Sequence, residues 1–79
     1  MIEEMAQRAG REEYGNTPAQ RGAFVRGYLA WYAEKPIESC PYPDTRKDDG
    51  RLTFSRSFIR AWEAGWRRAS LEYLRRRSV

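Results

Sequence analysis

The chain has no histidine and one cysteine, Cys40. Without histidine there is no Ser-His-Asp triad, no Cys/His nucleophile pair and no imidazole metal site. A single cysteine cannot close an internal disulfide, which suits a reducing compartment. No apolar run approaches the roughly 20 residues that span a bilayer. The opening Met1-Ile2-Glu3-Glu4-Met5 is acidic and lacks the pattern of a secretory leader. There is no glycine-rich phosphate loop and no paired carboxylate suited to acid–base work. Asp44, Asp48 and Asp49 match no calcium loop, because the glycine and closing glutamate of such a loop are misplaced. These absences lead to an expectation of a cytoplasmic protein that is not an enzyme and uses no cofactor or metal. Seventy-nine residues allow one small domain with a modest core.

Lysine is also scarce. Thirteen of the fifteen basic residues are arginine, and the net charge is +4. Residues 1–50 carry seven basic and nine acidic side chains, whereas residues 51–79 carry eight arginines against Glu63 and Glu72. The basic half points to a polyanion or an acidic protein surface. Arginine forks onto phosphate and stacks on bases, which favours RNA. An arginine-rich codon bias accounts for the same composition.

The pattern predicts an all-α chain. Residues 2–13 read as a short, weak helix with Met5, Ala6 and Ala9 as a thin apolar stripe, ended at Gly15-Asn16. Residues 17–78 read as a helix–loop–helix core. Thr17-Pro18-Ala19-Gln20 has the form of a capping box with proline at the first helical position. The helix it opens should end near Ala33 or Glu34, before Lys35-Pro36. Phe24, Tyr28, Trp31 and Tyr32 share one face, widened by Val25 and Leu29. A long connection follows, stiffened by Pro36, Pro41 and Pro43, with a turn at Asp48-Asp49-Gly50. The last helix should start with Ser55 or Ser57 as cap and run to about Arg75. Phe58, Ile59, Trp62, Trp66, Ala69 and Tyr73 fall in one arc of roughly 100°, and Arg56, Arg60 and Arg67 in another of roughly 40°.

Three stretches stand in a recognisable order: Arg26-Gly27-Tyr28 with Ala30 and Ala33, then Cys40-Pro41-Tyr42, then Trp62 with Gly65-Trp66-Arg67 and Ala69. In this order and spacing they resemble the ribosome modulation factor family, over roughly residues 22–70. The family pattern passes from Cys-Pro-Tyr to the tryptophan helix through a shorter link, so Asp44 to Thr53 is an added loop. Glu3, Glu4, Glu12 and Glu13 stand where the family has a basic arm. The resemblance implies two helices hinged at Cys40-Pro41-Tyr42. It also implies a non-catalytic protein that docks on ribosomal RNA and inactivates or dimerises ribosomes. Phage and mobile-element members make an inhibitor the alternative, such as an anti-CRISPR protein that binds a CRISPR effector subunit.

The candidate contacts to nucleic acid or partner are Arg26, Arg56, Arg60, Arg67, Arg68, Arg75 and Arg76, with Arg77 beside them. Set against that role, Glu63–Arg67 and Glu72–Arg76 at i, i+4 spacing form ion pairs on a solvated helix. Tyr28, Trp62 and Trp66 serve either as core or as stacking platforms for bases. Trp31, at a helix end, stands between those uses. Cys40 is a small buried hydrophobe or one half of a bridge between two copies. A marginal core with aromatic helix faces also predicts a homodimer.

Overall fold

The computed structural model describes residues 1–42 and 54–77. Among them there are three α-helices and no strand: α1 (Ile2–Tyr14), α2 (Pro18–Tyr32) and α3 (Phe54–Arg77). A 3-10 turn, Ile37–Ser39, follows α2. The all-α expectation therefore holds, with one short N-terminal helix and two main ones. The added loop and its Asp48-Asp49-Gly50 turn lie outside the described residues.

The central helix is α2. Its buried side chains are Ala23, Phe24, Val25, Tyr28 and Ala30, together with the backbone of Gly27. These residues do not lie on one face. Val25 meets α1, where a Cβ on Gly10 would stand 3.1 Å from Val25 Cγ2 and from Arg21 Cγ. Phe24 and Tyr28 meet α3. The single aromatic face read from the sequence is thus only part of the buried surface, because α2 is covered on two sides.

The contact between α2 and α3 is unusually close. A Cβ on Gly27 would lie 1.8 Å from the Trp62 carbonyl oxygen. A Cβ on Gly65 would lie 1.9 Å from the Phe24 carbonyl oxygen. Each helix therefore presents a glycine to the other's backbone, and only a residue without a side chain allows that approach. Among the described residues of α3, Ala61, Trp62, Gly65 and Ala69 are buried. At 100° per residue this face is turned by about 60° from the predicted arc, towards the small residues. The large residues Ile59, Trp66 and Tyr73 are left at its edge.

The ends of α2 depart from expectation in detail. Thr17 precedes the helix, but its hydroxyl makes no capping bond. Its N–H is tied to the Tyr14 carbonyl at 3.2 Å, and its backbone sits at φ −131°, ψ 83°. That tight turn from α1 holds the side chain away from the first amides. At the other end Glu34 adopts a φ of 63°. Lys35 N–H donates to the Ala30 carbonyl at 3.0 Å and Glu34 N–H to the Trp31 carbonyl at 3.1 Å. These two bonds make a Schellman motif with glutamate in the left-handed position that glycine normally fills. Gly15, by contrast, ends α1 in a right-handed conformation. Ser55 and Ser57 both lie inside α3, which is already helical at Phe54.

Candidate nucleic-acid interface

The residues of the Arg-Gly-Tyr, Cys-Pro-Tyr and Trp-Arg stretches assemble around the α2–α3 contact. Tyr28 and Trp62 are buried. Cys40 is a half-buried free thiol packed against the core. Pro41 is exposed at the corner. Tyr42 stacks on Phe58 of α3, with ring centroids 5.5 Å apart. Arg26 of α2 donates from Nη1 to the Tyr42 hydroxyl at 3.2 Å. The corner is thereby clipped to both helices. Trp66 is half-buried and donates its indole N–H to the Lys35 carbonyl at 2.8 Å. That carbonyl is placed by the left-handed Glu34 just before it.

The arginines divide into two groups. Arg56, Arg60, Arg67, Arg75, Arg76 and Arg77 are exposed along α3. Among the described residues, Arg56, Arg60 and Arg75 make no ion pair. Arg67 has only a loose one, 4.0 Å from Glu63, with both side chains open to solvent. Arg76 Nη1 lies 3.3 Å from Met5 Sδ on α1. Arg77 sits over the Tyr73 ring at 5.7 Å. The expected Glu72–Arg76 pair is replaced by another partner for Glu72.

That partner is Arg68, which belongs to an internal network. It donates from Nε to Glu72 at 2.8 Å, from Nη1 to Glu13 at 3.0 Å and from Nη2 to Glu12 at 2.6 Å. Tyr28 donates its hydroxyl to the other oxygen of Glu72. One arginine thus joins α1 and α3, and Tyr28 adds α2. Bonds to Glu12 and Glu72 strengthen the hold of Arg68 on its proton, against a smaller opposing effect of burial. Burial works against the charge on Glu72, but the bonds from Tyr28 and Arg68 outweigh it and hold its carboxyl below the usual value. Burial, then the bond to Glu72, raises the Tyr28 phenol well above its ordinary value. Two of the N-terminal glutamates read from the sequence as a substitute for a basic arm therefore have a structural part.

A second feature was not visible beforehand. Trp31 and Tyr32 at the end of α2, Glu34 and Lys35 after it, and Trp66 and Tyr73 of α3 line a cleft of about 540 Å³. Trp31 packs on Tyr73 and on Tyr32, each at 5.0 Å between centroids. The cleft exists because the large residues of α3 fall at the edge of its buried face.

Among the described residues, no group of three His, Cys, Asp or Glu is arranged to hold a metal ion. No described helix is long and apolar enough to cross a membrane. Compared with protein-family models, curated proteins and solved structures, the chain has no match.

Proposed function

We propose that the protein acts by binding, without catalysis, and docks the outer face of α3 on ribosomal RNA in the manner of a ribosome modulation factor. The observation that carries this reading is the stripe of Arg56, Arg60 and Arg67, exposed on one side of a 24-residue helix and paired, among the described residues, only loosely at Arg67. Exposed arginines on a rigid helix meet phosphates at little conformational cost and release counterions on binding. Arg75, Arg76 and Arg77 extend the charge to the helix end. Arg26 supports the corner through Tyr42, and Arg68 supports the helix packing, so both act at one remove from the RNA. The cytoplasm is the compartment that fits this partner.

Self-association belongs to the same proposal. Leu71 and Leu74 are 61% and 58% exposed at the C-terminal end of α3. At about 100° per residue Leu71 and Leu74 continue the arginine stripe beyond Arg67, so a second copy seated on them lies next to the RNA-binding stretch of α3 and not on an opposite face.

The test is co-sedimentation with ribosomes at low and high salt, using wild type and the Arg60→Ala/Arg67→Ala variant. Binding that salt releases and the double substitution weakens is the expected result. No ribosome association at low salt overturns the proposal. Capture of a CRISPR effector subunit with ribosomes absent would replace it with the inhibitor reading.

A further inference from the structure

We propose that the cleft between the end of α2 and α3 holds one unpaired guanine of a single-stranded RNA, stacked on Trp31 and read at its Watson–Crick edge by Glu34. This inference rests on the RNA-binding reading above and gives it a specificity site. Three observations support it. First, the cleft of about 540 Å³ has Trp31, Tyr32, Trp66 and Tyr73 on its walls, enough aromatic surface for a flat heterocycle. Base stacking on such rings is how proteins hold splayed-out nucleotides.

Second, the cleft is lined by an acidic residue and a basic one, with a further cation beside it. Lys35 lines it, and the Arg77 guanidinium lies over its Tyr73 wall at 5.7 Å. Two cations disfavour an organic cation as the occupant, although aromatic rings with one carboxylate would otherwise suit one. They favour a ligand that brings its own phosphate. At 100° per residue, Trp66 and Tyr73 stand about a third of a turn round α3 from Arg60 and Arg67. A strand running along the basic stripe can therefore turn into the cleft.

Third, the carboxylate belongs to Glu34, the described non-glycine residue with positive φ. A left-handed backbone at a side chain other than glycine is strained, and glycine would close the Schellman motif at lower cost. The position thus holds a carboxylate where the fold alone would favour none. A carboxylate accepts two parallel hydrogen bonds from adjacent donors. Guanine presents N1–H and N2–H side by side. Adenine and cytosine each place an acceptor next to their single amino group, and uracil flanks its N–H with carbonyls.

The experiment measures affinity for uridine hexamers carrying one guanosine or one adenosine at the centre, by quenching of tryptophan fluorescence. Trp62 is 2% exposed, so the change reports chiefly Trp31 and Trp66. Wild type should prefer the guanosine hexamer by about tenfold, as for a bidentate base contact. Glu34→Gln and Glu34→Gly should bind both hexamers equally. Glu34→Gly relieves the backbone strain, so its loss of preference cannot come from misfolding. Trp31→Ala should weaken both hexamers by about tenfold. Equal binding of the two hexamers by wild type, or a preference kept by Glu34→Gly, overturns the assignment. If neither hexamer binds while ribosomes still co-sediment, the cleft assignment fails and the proposed function stands. If neither hexamers nor ribosomes bind, both fail.

Discussion

Gly27 of α2 lies against the backbone carbonyl of Trp62 in α3, close enough that a single methyl group would reach 1.8 Å from that oxygen. Gly65 answers with the same relation to Phe24 at 1.9 Å. Neither obstacle is a flexible side chain, so the helices themselves must separate to admit a Cβ. Separation would expose Phe24, Tyr28 and Trp62, the largest part of a small core. Gly27→Ala and Gly65→Ala should each cost about 3 kcal/mol or more. Gly22 is the control. It lies inside α2, it is exposed, and a Cβ there meets nothing within 4 Å. Gly22→Ala should stabilise by about 0.5–1 kcal/mol through helix propensity. Thermal unfolding of the three variants decides the matter, and equal effects at positions 22 and 65 would refute the close crossing.

Glu34→Gly should raise stability by about 1 kcal/mol, since it removes a side chain from a left-handed position. For a domain of this size, that is about 4–8 °C in melting temperature. Trp66→Phe should act in the opposite sense by about 1 kcal/mol, because the Lys35 carbonyl loses its indole donor. A fall in melting temperature for Glu34→Gly would show that the terminus of α2 does not adopt this geometry.

The network around Arg68 makes stability depend on pH at both extremes. The carboxyl of Glu72 is held below its ordinary value of 4.5, so the folded state binds that proton less readily than the unfolded chain. Its contribution is full above about 4.5 and is lost as pH falls towards the folded value. The Tyr28 phenol is raised above its ordinary value of 10.0, so the sign reverses. Its contribution is full below about 10 and is lost as pH rises beyond that. Tyr28→Phe should remove the alkaline loss and lower stability near neutrality by about 1.5–3 kcal/mol, as expected for a bond to a charged group. Denaturant unfolding across pH 3–11 reads both limbs. An unchanged alkaline limb in Tyr28→Phe would contradict the assignment.

Arg68→Ala should release α1, leaving Glu12 and Glu13 without their shared partner. The expected sign is faster proteolysis within residues 2–14, with ribosome co-sedimentation reduced far less than by Arg60→Ala/Arg67→Ala. Proteolysis unchanged from wild type would show that α1 is held by Ala6, Ala9 and Val25 packing alone.

The helices themselves were largely legible. Pro18 and Lys35-Pro36 mark the ends of α2 to within about two residues, and the apolar periodicity places Trp62 and Ala69 inside. What could not be read is the depth of the crossing. Glycine carries no apolar signal, so Gly27 and Gly65 count for nothing in a periodicity argument, although they decide which face of α3 is buried. The aromatic cleft follows from that shift, so it was hidden too. The fate of Arg68 was hidden for a different reason. Its partners Glu12 and Glu13 are more than fifty residues away in sequence. Local spacing offered Glu63–Arg67, which is present but loose, and Glu72–Arg76, which yields to the three-helix network. The residue type at Glu34 does not announce its left-handed backbone, as glycine would have done.

Docking of α3 on RNA is decided by the salt dependence of ribosome binding for wild type and for Arg60→Ala/Arg67→Ala. If these arginines meet phosphates, affinity falls steeply with salt in wild type. The variant should bind more weakly, with the slope of log affinity against log salt reduced by roughly 2, one for each phosphate left without its arginine. Identical affinity and slope in the two proteins would contradict the docking of α3 on RNA.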